Sequence, residues 1–166
     1  EGALLFNNLI MTTAAATVLL GTLYPLFLDA LEAGKISVGP PFFNRTFIPI
    51  MIPTVIAMAV GPMLGWKRAD LGDAIRKLWL ALAAALGAVA LGWFGLGEGP
   101  VFGYVGFALA GWLGAASVVE LANRSRLGRE PLGNSLARMG RMPRASWGMT
   151  LGHLGLAVAI VGMAGA

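Results

Sequence analysis

Five apolar stretches, each long enough to cross a bilayer, dominate this chain of 166 residues. The hydrocarbon core of a membrane is about 30 Å thick, and a helix of roughly 20 apolar residues spans it. The predicted spans are residues 3–28, 42–66, 78–96, 102–122 and 146–166. Within lipid, every backbone polar group must be bonded internally, so continuous apolar segments of this length form helices. The pattern predicts an all-α fold, a polytopic transmembrane helical bundle in which residues 1–166 form one transmembrane portion.

The composition agrees with a membrane protein and excludes several kinds of site. Hydrophobic residues make up 57% of the chain and charged residues only 12%, which is typical of helical membrane proteins. The chain has no cysteine, so disulfides, thiolate nucleophiles and cysteine-ligated metal or iron–sulfur sites are excluded within it. The net charge of +4 indicates membrane topology and not nucleic-acid binding, because basic residues gather in the inside loops of membrane proteins.

Basic residues are concentrated in two of the four loops between the predicted spans. Loops 67–77 and 123–145 are strongly basic, whereas loops 29–41 and 97–101 carry little positive charge. The basic residues are Lys67, Arg68, Arg76 and Lys77 in the first, and Arg124, Arg126, Arg129, Arg138, Arg141 and Arg144 in the second. The positive-inside rule therefore places both basic loops in the cytoplasm and the other two outside. The arginine-rich loop could also lie on anionic lipid headgroups, although its role in setting topology is sufficient to explain it.

The only histidine, His153, lies inside the last apolar span, in SWGMTLGHLGLAV (146–158). At 100° per residue its helix face also carries Ser146, Met149, Thr150, Leu156, Ala157 and Ile160. The roughly opposite face carries Gly148, Gly152, Gly155, Ala159 and Gly162. We expect this ridge of small residues to let a neighbouring helix approach closely, as in GxxxG packing. His153 is then predicted to point elsewhere, towards a pocket or another partner.

The residues alone leave the role of this histidine open. It could be structural, neutral and hydrogen-bonded to a serine, threonine or carbonyl of a neighbouring helix. Ionisable groups at membrane depth are costly and mark functional sites, so proton relay, quinone contact and axial ligation of a haem are the alternatives. The nearest carboxylate for a relay is Glu120, at the cytoplasmic end of the fourth span. A bis-histidine haem site would take its second histidine from outside this chain, or a ligand of another type would serve instead. No catalytic residue is assigned.

Other polar residues suggest weaker hypotheses. Asn7 and Asn8 lie in the first span, where hydrogen bonds between helices are favoured over a quinone or substrate role. Arg45 opens the second span, where a lipid headgroup is favoured over an anionic haem propionate as its partner. We expect the regular part of the first helix to end at Tyr24 and Pro25.

Two stretches of the chain resemble the CcmF family, the haem lyase subunit of system I cytochrome c maturation within the haem-handling protein superfamily. These are EGALLFNNLIMTTAAATVLLGTLYPLFLDAL (1–31) and GKISVGPPFFN (34–44). The terminal SWGMTLGHLGLAV is similar to the histidine-bearing transmembrane helix of that family. The resemblance runs in order along the whole chain, and the middle helices are the least distinctive.

The resemblance implies a function in the bacterial cytoplasmic (inner) membrane. Family members attach haem, at the periplasmic face, to the two cysteines of CxxCH in apocytochrome c. They also hold a haem b between two transmembrane histidines, with a proposed role in reducing the incoming haem and quinol as a candidate electron source. His153 matches the second of these histidines, which implies that it is an axial ligand of the haem iron. The implied partners are a haem chaperone, apocytochrome c and its thiol-reducing partner, and membrane lipid.

Several parts of the family pattern are missing from this chain. It lacks the tryptophan-rich periplasmic segment, the two periplasmic histidines and the first transmembrane histidine. The resemblance therefore implies that the remaining part of the same protein supplies them, and that haem lyase activity belongs only to the complete protein or complex. We expect an internal or split portion of a longer protein. The alternatives are a related nitrite-reductase-type haem lyase and, from another class, a transporter or permease subunit with a structural histidine.

Overall fold

The computed structural model describes residues 2–63 and 71–166 and confirms the predicted all-α fold. The helices are α1 (Gly2–Ala30), α2 (Pro40–Val60), α3 (Leu71–Leu96), α4 (Val101–Ser125), α5 (Leu132–Gly140) and α6 (Arg144–Ala164). A short 3-10 helix, Gly61–Met63, follows α2. No strand occurs within the described ranges.

Five of these helices contain segments long and apolar enough to cross a membrane. The segments are Leu5–Ala30, Pro40–Val60, Leu78–Leu96, Val101–Ser125 and Arg144–Ala164. Most of their large apolar side chains are exposed within this chain, as expected where lipid or further helices cover them. The protein is therefore a multi-pass membrane protein.

The ends of α2 and α3 differ from the limits of the predicted spans. Helix α2 ends at Val60, whereas the second predicted span runs to residue 66. Helix α3 begins at Leu71, seven residues before the third predicted span. Residues 64–70, with Lys67 and Arg68, lie outside the described residues, and so do the side chains of 71–77, with Arg76 and Lys77.

The prediction that the first helix loses its regular structure at Tyr24 and Pro25 is wrong. Helix α1 continues through Pro25 to Ala30. The proline ring removes only one backbone donor. Ending the helix in lipid would leave several peptide groups without partners, which costs more.

Helix α5 lies inside the loop 123–145, where the sequence analysis placed no element. Its nine residues are too few for a membrane span. Helix α5 nevertheless has a helical pattern, because Leu132, Leu136 and Met139 recur at i, i+4 and i+7. Pro131 immediately before it and Gly140 at its end are the usual residues at helix boundaries.

The chain forms two compact units, divided between Val55 and Ile56. In the first unit, Gly21 of α1 faces the rings of Phe42 and Phe43; a Cβ on Gly21 would lie 2.8 Å from the Phe42 ring. Small size at this position therefore lets the aromatic rings of α2 reach the α1 backbone.

In the second unit, α4 is the central helix and packs against α3 on one side and α6 on the other. A Cβ on Gly111 would lie 2.7 Å from the Ala84 carbonyl oxygen of α3, and one on Gly106 would lie 2.8 Å from the Ala164 Cβ of α6. Leu113 of α4 is fully buried. Glycines of α4 therefore set the close approach of both neighbours, and this packing positions His153.

Candidate functional site

His153 lines a cleft in the second unit, where α4 and α6 meet the end of α2. The lining residues are Met58, Ala59 and Pro62, then Ala116, Ser117 and Glu120 of α4, and Met149, Thr150 and His153 of α6. One wall is apolar and the other carries hydroxyl, carboxyl and imidazole groups. The cleft has an internal volume of only about 10 Å³, room for about one water molecule, and it is partly open to the outside.

The antiparallel packing of α6 on α4 sets the level of His153. Near one end of the pair, a Cβ on Gly103 would lie 3.2 Å from the Ala164 carbonyl oxygen. Near the other end, an Arg124 Nη1 donates to Ser146 Oγ at 3.0 Å. His153 lies between these contacts, at the level of the small residue Ser117.

An ion pair closes one end of the cleft. Arg124 Nε lies 2.6 Å from Glu120 Oε1, and the Glu120 side chain is only 13% exposed. Because the same guanidinium also bonds Ser146, it holds the carboxylate of α4 against the first turn of α6. A carboxylate in this position is satisfied by a fixed cation, as charges inside membrane proteins require.

The imidazole of His153 is half-buried and makes no hydrogen bond to any residue that the structure describes. The hydroxyl groups that share its cleft donate to carbonyls of their own helices. Thr150 Oγ1 donates to Ser146 O at 3.1 Å, and Ser117 Oγ donates to Leu113 O at 2.7 Å. Neither hydroxyl group therefore donates to His153, whereas a structural role bonded to these neighbours would predict such a bond. The ring nitrogens remain available to a ligand.

The cleft contains one side chain of the type that ligates haem iron, but no pocket of haem size. Haem iron takes axial nitrogen from a neutral imidazole, and His153 offers one beside the apolar side chains of Met58 and Met149. Its internal volume of about 10 Å³ is far below the roughly 300–1,000 Å³ of a complete small-molecule pocket, so the described residues do not by themselves enclose a haem. Among the described residues, no group of three or more His, Cys, Asp or Glu side chains is placed to hold a metal ion.

The structure brings together some of the residues that the sequence analysis named. Glu120 and His153 line the same cleft, and Met149 and Thr150 share the His153 face as predicted. Asn7 and Asn8 belong to the first unit, where both are exposed and make no hydrogen bond to a described residue.

Arg45 also belongs to the first unit, near the start of α2, and its side chain is exposed. No ion pair joins it to a carboxylate in the part of the chain that the structure describes. A lipid headgroup and a haem propionate both stay predicted partners of Arg45.

The close packing of α6 uses a different face from the predicted one. The Cβ positions of Gly148, Gly152, Gly155 and Gly162 have no described atom within 4 Å. Instead the His153 face packs on α4, where a Cβ on Gly114 would lie 3.7 Å from the Ala157 Cβ. The prediction that the glycine ridge receives a neighbour is not met by the described residues, because α4 supplies the glycines of this interface.

The sequence analysis did not select Met58, Pro62 and Ser117 as site residues. Ser117 lies three residues before Glu120, so both are on one face of α4, and this spacing could have found it. Met58 and Pro62 have no such signal, because their position depends on how α2 ends.

Comparison with curated proteins finds relatives over nearly the whole chain. The chain is 45% identical over 163 residues to cytochrome c-type biogenesis protein CycK of Rhizobium meliloti, covering 98% of this chain and 24% of that protein. It is 38% identical over 163 residues to cytochrome c-type biogenesis protein CcmF of Pseudomonas aeruginosa, with the same coverage.

A third relative is cytochrome c-type biogenesis protein NrfE of Haemophilus influenzae, 28% identical over 167 residues, with 98% of this chain and 24% of that protein covered. The chain thus spans about a quarter of the length of the curated relatives that it matches. No protein-family model matches the chain, and no solved structure matches it.

Proposed function

The chain belongs to the CcmF family of cytochrome c-type biogenesis proteins, and we propose that it forms the part of a cytochrome c haem lyase that holds a membrane haem b through His153. The single observation that carries the proposal is the half-buried imidazole, which has no hydrogen-bond partner among the described residues and lines a cleft. The family membership suggests the chemistry, and the half-buried imidazole supplies a side chain that could perform it.

His153 would hold the haem iron through a neutral imidazole nitrogen, beside the apolar side chains of Met58 and Met149. When bound, haem supplies an iron that accepts and releases one electron. Apolar side chains around the ligand exclude water and tune the affinity of the reduced and oxidised forms. A second histidine ligand would have to come from outside this chain, since this chain has one histidine.

Arg124 and Glu120 would position the cytoplasmic end of the site. The guanidinium spans α4 and α6 through its bonds to Glu120 and Ser146. This fixes the rotation of α6 about its axis near its first turn. The direction in which His153 projects, two turns further along, depends on that rotation.

The complete protein would use this haem in the bacterial cytoplasmic membrane. Its substrates would be the transferred haem and the CxxCH cysteines of apocytochrome c, joined at the periplasmic face. A haem chaperone would bring the haem, the thiol-reducing partner would keep the apocytochrome cysteines reduced, and quinol is the candidate electron source of the complete protein. The higher identity to CycK, 45%, than to NrfE, 28%, supports a general cytochrome c lyase over an NrfE-type one.

Cytochrome c maturation by the complete protein tests this proposal. In cells lacking the native gene, we expect His153→Ala to lower covalently bound haem in c-type cytochromes by about tenfold or more. Imidazole in the growth medium should restore part of the yield, because it can replace the missing ligand. Val158→Ala, on the exposed side of the same helix, is the matched control and should mature cytochromes normally.

Equal maturation by His153→Ala and the control, at equal protein levels in the membrane, would overturn the proposal. A loss of maturation that imidazole does not restore, in a variant that still binds haem b, would also overturn the ligand role.

A further inference from the structure

Helix α5 has one apolar side and one polar side. At 100° per residue, Leu132, Leu136 and Met139 fall within about 60° of one another. Asn134 points the opposite way. Leu132 and Leu136 are 68% and 62% exposed, which is high for adjacent large apolar side chains on one face.

Contacts with α4 and α6 fix the orientation of α5. Ser135 is fully buried, and its Oγ donates to Arg126 O at 3.4 Å. At the other end of α5, Trp147 Nε1 of α6 donates to Met139 O at 3.2 Å. Rotating α5 to bury its leucines would break these bonds. The described contacts therefore hold Leu132 and Leu136 outward.

The arginines around α5 fall into two groups. Glu130 accepts from Arg126 at 2.8 Å and from Arg138 at 3.1 Å. Arg129, Arg141 and Arg144 are exposed and form no salt bridge within residues 2–63 and 71–166. The sequence after Glu120 contains no carboxylate side chain except Glu130, which is already shared by two arginines.

We expect helix α5 to lie at the level of a membrane surface. It joins the end of α4 to the start of α6, and both are candidate spans. An amphipathic helix with arginines beside leucines is the chemistry that binds at the boundary between headgroups and acyl chains. Positive side chains there are attracted by anionic phospholipid.

We propose that α5 is an interfacial helix that docks on anionic phospholipid. Leu132 and Leu136 enter the acyl boundary, and Arg129, Arg141 and Arg144 bind lipid phosphates. Charge complementarity favours lipid over a protein surface, because three unpaired cations flank the exposed leucines. Because α5 is bonded to α4 through Ser135 and to α6 through Trp147, docking also ties the ends of both helices to the membrane surface.

Nitroxide labels on the complete protein, reconstituted in vesicles, test this docking. The reporter is Leu136→Cys and its matched control is Asn134→Cys, on the opposite side of the same helix. In phosphatidylcholine vesicles with phosphatidylglycerol, we expect the label at 136 to collide with oxygen and to be protected from a water-soluble nickel complex. The label at 134 should collide with the water-soluble nickel complex and be less accessible to oxygen.

The charge dependence identifies the ligand. Three arginines near an anionic surface favour docking by about a hundredfold. Replacing all three with glutamine, or omitting phosphatidylglycerol, should therefore move the label at 136 towards water, whereas replacing them with lysine should not.

A label at 136 as accessible to nickel as the one at 134 would overturn the proposal. Protection from both reagents would also overturn it, because it would mean that another part of the protein covers α5.

Discussion

Arg124 is the residue that joins the most parts of the candidate site. It pairs with Glu120, which lines the cleft, and bonds Ser146 in the first turn of α6. Its side chain is 37% exposed, so water or headgroups screen part of its charge. The carboxylate of Glu120 is more enclosed and depends on this partner.

We expect Arg124→Gln to lower the thermal midpoint of the complete protein in detergent. The change leaves Glu120 without its cation and removes the bond to Ser146, a loss of about 2 kcal/mol for hydrogen bonds to charged groups. Arg129→Gln is the matched control, since Arg129 is exposed and forms no ion pair with a described residue. Equal midpoints for the two variants would show that the Arg124 bonds do not hold α4 to α6.

At the residue scale, the sequence predicted which side chains share the His153 face but not what faces them. Helical spacing placed Met149 and Thr150 beside His153, and the cleft confirms this. Opposite residues such as Ser117 depend on the register between α4 and α6, which the spacing along one helix does not contain. The axial role of His153 stays a prediction.

At the scale of helices, the closest approach in the second unit is that of α3 and α4 at Gly111. A Cβ there would meet the Ala84 carbonyl oxygen at 2.7 Å and the Ala88 Cβ at 2.9 Å. A backbone carbonyl inside a helix cannot turn away as a flexible side chain does. The two helices must separate to admit a methyl group.

We expect Gly111→Ala to destabilise the complete protein by about 1–3 kcal/mol, the usual cost of overpacking. The matched control is Gly114→Ala, one turn along α4, where the nearest atom would be 3.7 Å away in ordinary contact. Thermal unfolding in detergent, or the fraction that stays monodisperse after heating, distinguishes them. A Gly111→Ala variant as stable as Gly114→Ala would contradict the packing of α3 on α4.

Glycine patterns predicted close packing on α6, whereas the close packing among the described residues is at glycines of α4. Helix α6 has the more regular ridge, with Gly148, Gly152 and Gly155, yet the described chain leaves it open. Helix α4 has fewer regular spacings and contains the glycines, Gly106 and Gly111, that its neighbours approach. A small-residue face shows where a helix can approach, but the choice of partner depends on the whole bundle.

The position of α5 should depend on pH through Glu130. Hydrogen bonding from Arg126 holds the pKa of Glu130 below its ordinary value of 4.5, and Arg138 lowers the pKa further, although desolvation opposes them. A lowered pKa in the folded state means that the stabilisation is complete above about 4.5. It is lost as the pH falls through the lowered value.

Hydrogen exchange of the α5 amides, corrected for the intrinsic pH dependence, measures this effect. We expect protection of α5 to fall as the pH drops below 4.5. Glu130→Gln is the control, because it cannot titrate and should show weaker protection with no such pH dependence. Identical profiles for the two proteins would exclude Glu130 as the group that holds α5.

For the whole molecule, the predicted topology puts loops 97–101 and 123–145 on opposite sides of the membrane. Helix α4 connects them and is long enough to span. In the complete protein, we expect Glu98→Cys to react with an impermeant maleimide in intact cells. Arg129→Cys should react only after the inner membrane is opened. Reaction of both, or of neither, in intact cells would contradict the assignment from the basic loops.

The amount of structure that the sequence predicts depends on scale. The apolar stretches predicted the long helices because lipid imposes a single requirement on each of them separately. They did not predict α5, whose nine residues are stabilised by contacts such as that between Trp147 and Met139. The chain spans about a quarter of the length of these relatives, and the sequence of this quarter does not predict what else would surround His153.

The measurement that tests the central claim most directly is a reduced-minus-oxidised optical spectrum of the purified complete protein, with haem quantified. His153→Ala is compared with wild type and with Val158→Ala, each checked for normal insertion. We predict that the b-type signal is lost from His153→Ala alone and returns in part with added imidazole. Unchanged haem content and an unchanged spectrum in His153→Ala would contradict axial ligation and return His153 to a structural role.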